Sequence, residues 1–278
     1  GKVLEKIINT RLKQELEANG VIPDTQAGFR AHHSTTQQAM RVVELIAEGF
    51  NNHEATGAIF LDVSKAFDTV WHKGLLYKML NHRISLPMTQ LIQSFLRDRS
   101  FRVKLATQRS TPRRINAGVP QGSILSPTLF NIFVADIPKC PSALTAQYAD
   151  DTAIIARSRN SDQLGKKLQN AAEMIEDWYS DWRLAVNPEK SAAVLFQKRR
   201  LTKPPEIIMF DRAIPWTRQA KYLGVLLDDR LNWDAHINNQ VAKASAMISS
   251  LHPMFCRNSK PSSQRTTSFY CTKRKSAR

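Results

Sequence analysis

Cysteine is scarce in this sequence. The three present, Cys140, Cys256 and Cys271, are odd in number and far apart. No pair has CxxC spacing, so neither a zinc site nor a disulfide framework is supported, and a reducing compartment is expected. Long apolar runs are missing too. The longest uncharged stretch, Ile115 to Ala135, is broken by Pro120, Gln121, Pro127 and two asparagines, which rejects it as a membrane span. The first twenty residues are amphipathic and charged, not an apolar leader, so no secretory signal is read there. No internal repeat is found. Acid is in deficit: 24 Asp and Glu stand against 40 Lys and Arg in 278 residues, a formal charge of +16. That imbalance makes a polyanion the first partner to expect.

What the chain does hold is apolar material. A hydrophobic fraction of 42% suffices for a real core, in one large domain or two small ones. Residues 2–19 place Val3, Leu4, Ile7, Ile8, Leu12 and Leu16 on one helical face, and Gly20 stops that helix. Ser34 reads as an N-cap for a helix carrying Met40, Val43, Ala47 and Phe50. Ala58-Ile59-Phe60-Leu61 reads as a buried strand with Asp62 at its C-terminal end. Helical patches follow around 73–81 and 88–97, then an alternating stretch from Phe101 to Leu105. Gly118-Val119-Pro120-Gln121-Gly122 is a loop, after which Ser126 and Pro127 open a helix as N-cap and first residue. Residues 146–156 have apolar arms around Asp150-Asp151, a β-hairpin with acids at its tip. Residues 162–182 are the clearest helix, and its Trp178, Tyr179 and Trp182 read as core. Ala192–Phe196, Ile207–Phe210 and Tyr222–Leu227 read as strands. A last helix carries Ile237, Val241, Ala244, Ile248 and Leu251. From Arg257 onward seven basic residues and no acid give an unpacked basic tail. Strands and helices intersperse without regular alternation, which favours an α+β fold.

The chemistry concentrates in three acids. Asp62, Asp150 and Asp151 each end an apolar strand, where a carboxylate is costly unless something neutralises it. Brought together, such groups repel by about 4 kcal/mol per close pair at an intermediate dielectric. Hard divalent cations remove that cost, and Mg²⁺ prefers one or two carboxylates together with substrate phosphates. The plain alternative is a strand cap and a polar turn. The run from Arg97 to Arg114 holds seven basic residues against Asp98 alone. It either tracks a nucleic-acid backbone or forms a solvated loop.

The order of motifs resembles a known family. Phe60-Leu61-Asp62-Val63-Ser64-Lys65-Ala66-Phe67-Asp68 resembles the first palm motif of reverse transcriptases, and Tyr148-Ala149-Asp150-Asp151 their catalytic hairpin. Gly118 to Pro127 is similar to the motif between them. Gln26-Ala27-Gly28-Phe29-Arg30 followed by His33-Ser34-Thr35 resembles the fingers motif of non-LTR retrotransposon enzymes, jockey-like elements of insects in particular. The resemblance covers roughly residues 1–255. It implies that Asp62, Asp150 and Asp151, with the Val63 carbonyl, bind two Mg²⁺ ions, for which Mn²⁺ is a substitute. Phe67 falls where the family places its steric gate, so deoxynucleotides are preferred over ribonucleotides; a core phenylalanine is the alternative. Gln121 and Gly122 line the nucleotide pocket, and Arg30 and Lys65 reach triphosphate or template backbone, or else are unspecific surface cations near a loop. Lys190 matches a general acid toward the leaving pyrophosphate; otherwise it is a solvated turn lysine. Lys221-Tyr222-Leu223-Gly224 resembles the primer grip, or is an ordinary strand with a bulge at Gly224.

The implied fold is α+β: a polymerase palm with a ferredoxin-like, split βαβ sheet, helical fingers and a truncated thumb. One reverse transcriptase domain is expected over residues 1–265. Its fingers take 1–56 and about 73–116, its palm 57–72 and 117–228, and the start of its thumb 229–256. An unpacked basic tail takes 266–278. The implied activity is RNA-directed DNA synthesis, with an RNA template, a DNA primer or target and deoxynucleoside triphosphates as partners. The implied location is the nucleus, or a cytoplasmic ribonucleoprotein. The chain opens on Gly1 inside a helical pattern, lacks the family's upstream Arg-Pro-Ile motif and ends Ser/Thr/Lys-rich, so a fragment or decayed copy is expected. A catalytically dead RNA-binding remnant is therefore the rival reading. A viral replicase is disfavoured by Phe67, and a group II intron maturase by Gly28-Phe29-Arg30.

Overall fold

A computed structural model describes residues 1–198 and 202–255. The basic tail expected over 266–278 lies outside the described residues. Two compact units partition the chain, residues 1–231 and 232–278. The first opens with α1 (Lys2–Ala18), α2 (Thr35–Asn51), β1 (Ala55–Leu61), the short α3 (Ala66–Thr69), α4 (His72–Asn81) and α5 (Leu86–Leu96). Four two-residue strands follow: β2 (Ser100–Phe101), β3 (Lys104–Leu105), β4 (Gln108–Arg109) and β5 (Arg113–Arg114). Next come α6 (Ser126–Phe133), β6 (Leu144–Tyr148), β7 (Asp151–Ser158), α7 (Ser161–Asp181) and β8 (Ala192–Phe196). The unit closes with β9 (Ile207–Met209), β10 (Arg212–Ile214), β11 (Trp216–Thr217), β12 (Gln219–Tyr222) and β13 (Val225–Asp228). The described part of the second unit contains α8 (Asp234–Phe255), the helix expected there. No described helix is long and apolar enough to cross a membrane.

The central sheet has the order β11-β8-β1-β7-β6. β1 is antiparallel to both β7 and β8, and β11 joins β8 in parallel. Every residue of β1 is buried, because helices cover both faces of the sheet there. Adjacent residues of β1 show how. A Cβ at Gly57 would lie 2.6 Å from Leu168 on α7, while a Cβ at Gly49 on α2 would lie 2.2 Å from the Thr56 hydroxyl. Successive strand residues point to opposite faces, so α7 packs on one side and α2 on the other.

That approach explains one departure from the periodicity. The expected face of α2 was Met40, Val43, Ala47 and Phe50. The buried face is Ala39, Val42, Ile46 and Gly49, and Met40 is exposed. Glycine at 49 lets the helix come close to the strand, and Gln38 is drawn inward to donate to the Gln147 carbonyl at 3.3 Å. Ser34 does cap α2, in a capping box with Gln37. In α1 only Leu12 and Leu16 of the expected face are buried, whereas Val3, Leu4 and Ile7 are exposed. Ser126 is not an N-cap: the helix already includes it, and its hydroxyl donates back to the Pro120 carbonyl at 2.6 Å. The Tyr222–Leu227 run is not one strand but the two arms β12 and β13 of a hairpin, which turns at Leu223-Gly224, both at positive φ. The Phe101–Leu105 stretch belongs to an exposed ribbon in which β2 pairs β5 and β3 pairs β4.

A buried cation joins three of the helices. Lys78 of α4 is 1% exposed, donates to the Phe133 carbonyl at 2.6 Å and is ion-paired with Asp136. Its ammonium lies 3.5 Å from the centre of the Trp182 ring and 4.4 Å from that of Trp178. Burial pulls its pKa down to about 8 against the pull of Asp136.

Candidate active site

β1 ends at Leu61, which pairs with Thr152 of β7, so Asp62 leaves the strand beside Asp151 at one end of the sheet. The hairpin of β6 and β7 closes between Tyr148 and Asp151, with Ala149 and Asp150 as its two turn residues. Hairpins favour turns with positive φ at the first central residue, and Ala149 has φ +59°. This geometry places the two acids at the tip, as the apolar arms around them imply.

Asp62, Asp151 and Lys190 line a single cleft of about 170 Å³, together with Lys221 and Tyr222. Asp150 lines a separate small recess with Val63, Phe130 and Tyr179. Among the described residues no group of three His, Cys, Asp or Glu side chains is arranged to enclose a metal ion. The carboxylates nonetheless feel one another. Burial pushes the Asp150 carboxyl up, and the charge of Asp62 adds to the shift. Burial, Asp150 and Asp62 push Asp151 up to about 6, with Lys221 opposing. Carboxylate oxygens that repel one another more than Lys221 offsets are the hard donor set that suits a divalent cation, so the residues present fit one.

The backbone around Asp62 is bolted to the loop that carries Lys190. Asn187 N–H donates to the Asp62 carbonyl at 2.8 Å, and Ser64 N–H to the Ala185 carbonyl at 2.7 Å. Val63 bridges Val186 in the same run. Lys190 follows in the turn, its N–H bonded to the Asn187 carbonyl at 3.2 Å.

Phe67 is half-buried and stacked on the buried Phe130, ring centres 4.6 Å apart, with Phe29 edge-on at 6.1 Å. The segment after it is zipped to the glycine-rich loop. Val119 N–H donates to the Phe67 carbonyl and Gly118 N–H to that of Val70, both at 2.8 Å. Gln121 donates to the Asp68 carboxylate at 3.0 Å. Gly122, at φ +78°, has open space where a side chain would stand. Its carbonyl accepts from Lys2. Glu5 accepts from the Ser123 hydroxyl at 2.7 Å and the Ile124 N–H at 2.8 Å, and these bonds hold its carboxyl below the usual range. Thus α1 anchors the loop of Gln121 and Gly122, a role with no local sequence signal.

Two expected cations, like Phe67, Gln121 and Gly122, do not line the Asp62 cleft. The Arg30 guanidinium donates to the carbonyls of Pro23 and Gln26 at 3.1 and 3.3 Å, and Arg30 lines a different cavity with Phe29, His32 and His33. Lys65 is exposed at φ +49°, at the N-cap of α3, and does not line the Asp62 cleft. Tyr222 is buried with its ring 5.3 Å from Phe60, and burial raises its hydroxyl pKa. The turn at Leu223-Gly224 extends beyond it.

A family model described as reverse transcriptase (RNA-dependent DNA polymerase) matches residues 1–227. The chain is 35% identical to a probable RNA-directed DNA polymerase from transposon X-element of Drosophila melanogaster, over 97% of this chain and 30% of that protein. It is 38% identical to the RNA-directed DNA polymerase from mobile element jockey of the same organism, over 86% of this chain and 27% of that protein. The chain therefore spans about a third or less of the length of these relatives. Its fold is similar to that of apo telomerase from Candida tropicalis truncated from its C-terminal domain. The TM-score is 0.57 at 16% identity, over 82% of this chain and 44% of that one.

Proposed function

The chain belongs to the reverse transcriptase family, and from that premise we propose that it performs RNA-templated DNA synthesis as part of a non-LTR retrotransposon polymerase. The observation that carries this reading is the shared cleft of Asp62, Asp151 and Lys190 at the end of the central sheet. A primer 3′-hydroxyl attacks the α-phosphorus of a deoxynucleoside triphosphate: the bond to the primer oxygen forms, the α–β phosphoanhydride bond breaks, the hydroxyl proton passes to water and pyrophosphate leaves. Catalysis in such a site is positioning and charge neutralisation.

The residues that would hold the divalent cations, two Mg²⁺ in this reading, are Asp62, Asp150 and Asp151 with the Val63 carbonyl. When bound, such ions neutralise phosphate charge and lower the pKa of a bound hydroxyl. The chain's own groups do the rest. Lys190 gives a proton to the leaving pyrophosphate. Phe67, braced by Phe130, crowds a ribose 2′-hydroxyl. Gln121 and Gly122 offer an amide and an open backbone to the nucleotide. The turn at 222–224 bears on the primer, and the ribbon of residues 100–114 meets RNA phosphates. Synthesis primed at a chromosomal target places the work in the nucleus.

Primer extension on poly(rA)/oligo(dT) tests the reading. The wild-type chain extends the primer with Mg²⁺ and the Asp151→Asn variant does not. Equal extension by both would remove the carboxylates from the mechanism, and RNA binding without extension would leave only a binding protein.

A further inference from the structure

The Gln26 side chain is completely buried, and its hydrogen bonds go to one neighbour and one turn. Its Oε1 accepts the N–H groups of Gly28 at 2.8 Å and of Ala149 at 2.9 Å. Its Nε2 donates to the Ala149 carbonyl at 3.2 Å. One primary amide therefore satisfies both backbone groups of the residue that opens the turn before Asp150.

The surroundings leave this amide little freedom. Ala27 N–H donates to the Gln147 carbonyl at 2.9 Å, and Gln147 N–H donates to the Thr25 carbonyl at 2.8 Å. The loop thus runs beside β6 as a further parallel partner, with Gln26 bridging Gln147. Asn131 holds the far side, donating to the Gly28 carbonyl at 2.7 Å. Gly28 approaches so closely that a Cβ there would stand 2.2 Å from the Ala149 nitrogen. Meanwhile Ala149 sits at φ +59°, which a residue other than glycine holds only where its surroundings over-determine it.

We propose that Gln26 is a positioning residue for the catalytic hairpin. Its amide keeps Ala149 in the left-handed turn and so fixes the direction in which Asp150 and Asp151 leave it. Without the amide, three buried backbone groups lose their partner and Ala149 is free to relax to negative φ. The peptide after it then turns, and both carboxylates are re-aimed. The proposal rests on the polymerase reading for its catalytic consequence, but not for the latch itself.

The experiment compares the wild-type chain with Gln26→Met, each with and without Ala149→Gly. Turnover and KM are read by primer extension, primer–template affinity by fluorescence anisotropy, and amide exchange at residue 149 by NMR. Gln26→Met is expected to accelerate exchange at Ala149 and to lower turnover about tenfold to a hundredfold, while primer–template affinity is unchanged. Ala149→Gly then restores part of the lost turnover, because glycine takes positive φ without strain. General loosening of the fold would lower affinity as well and would not be rescued by glycine. Unchanged turnover in Gln26→Met, or loss without rescue, overturns the proposal. Should Gln26→Met not fold, Gln26→Asn keeps a neutral primary amide but draws it back by one methylene from the backbone groups of Ala149. Exchange and turnover at wild-type levels in that variant overturn the proposal equally. If the wild-type chain itself extends no primer, the polymerase reading fails. The latch is then judged on amide exchange alone, where equal protection in wild type and variant refutes it.

Discussion

The Ser191 hydroxyl accepts the backbone N–H of Asp62 at 3.1 Å and donates to the Asn187 carbonyl at 2.9 Å. Ser191 is 1% exposed. It ties the first residue after β1 to the loop that carries Lys190. Ser191→Ala strands the Asp62 N–H and is expected to cost about 1–3 kcal/mol of stability. A urea midpoint equal to that of the wild type would show that the bond carries no stability.

The carboxylates give a pH signature. Asp151 is pushed up to about 6, and Asp150 is raised as well. Between the ordinary carboxylate pKa and about 6, the folded chain keeps a proton that the unfolded chain has released. Their contribution to metal-free stability therefore falls as pH rises through that window and is flat above it. Divalent cation, by neutralising the carboxylates, flattens this dependence and raises Tm above pH 6. Thermal melts at pH 5 and 7, with EDTA and with Mg²⁺, check it. A Tm indifferent to the cation at both values would count against a metal at these residues.

Lys78 titrates with the opposite sign. Below about 8 it is protonated in both states. From there to its ordinary pKa near 10.5, the unfolded chain holds a proton that the folded chain lacks, so stability rises with pH. The shift corresponds to about 3 kcal/mol over the window. Lys78→Met should abolish that rise when the two proteins are compared by denaturation at pH 7.5 and 10. Parallel pH curves would show that the lysine stays charged.

Phe67 stacks on Phe130 at 4.6 Å, which leaves it no easy retreat from a substrate. Phe67→Val is expected to raise ribonucleotide incorporation relative to deoxynucleotide by about tenfold or more. Competition between the two sugars in primer extension measures this. An unchanged ratio would return Phe67 to the core.

Arg109, Arg113 and Arg114 are exposed on the ribbon of β4 and β5. Replacing all three with Gln should reduce the slope of log affinity against log salt for single-stranded RNA by about 2. An unaltered slope would show that the ribbon does not touch the phosphates.

How much of this was legible in the sequence depends on the range of the interaction. Asp62 and Asp150-Asp151 stood out because short apolar arms flank them, and a continuous apolar run ending in an acid is a local signal. Ser34 was legible for the same reason, since its partner Gln37 lies three residues away. The buried face of α2 was misjudged by one residue. Met40 is the more apolar side chain, but a polar Gln38 has a backbone acceptor waiting on β6. Gln26, Glu5 and Ser191 gave no chemical hint on their own. Each acts through a partner more than a hundred positions away, and no periodicity encodes such a pairing. Arg30 shows the converse: a cation in a matching motif whose guanidinium is taken up by the carbonyls of its own loop.

The aromatic enclosure of Lys78 also makes that amine a built-in clock. Acylating reagents that mark exposed lysines such as Lys73 on the same helix are sterically shut out at Lys78. The appearance of label on this one nitrogen would time the separation of α4 from α6 and α7, without any engineered probe.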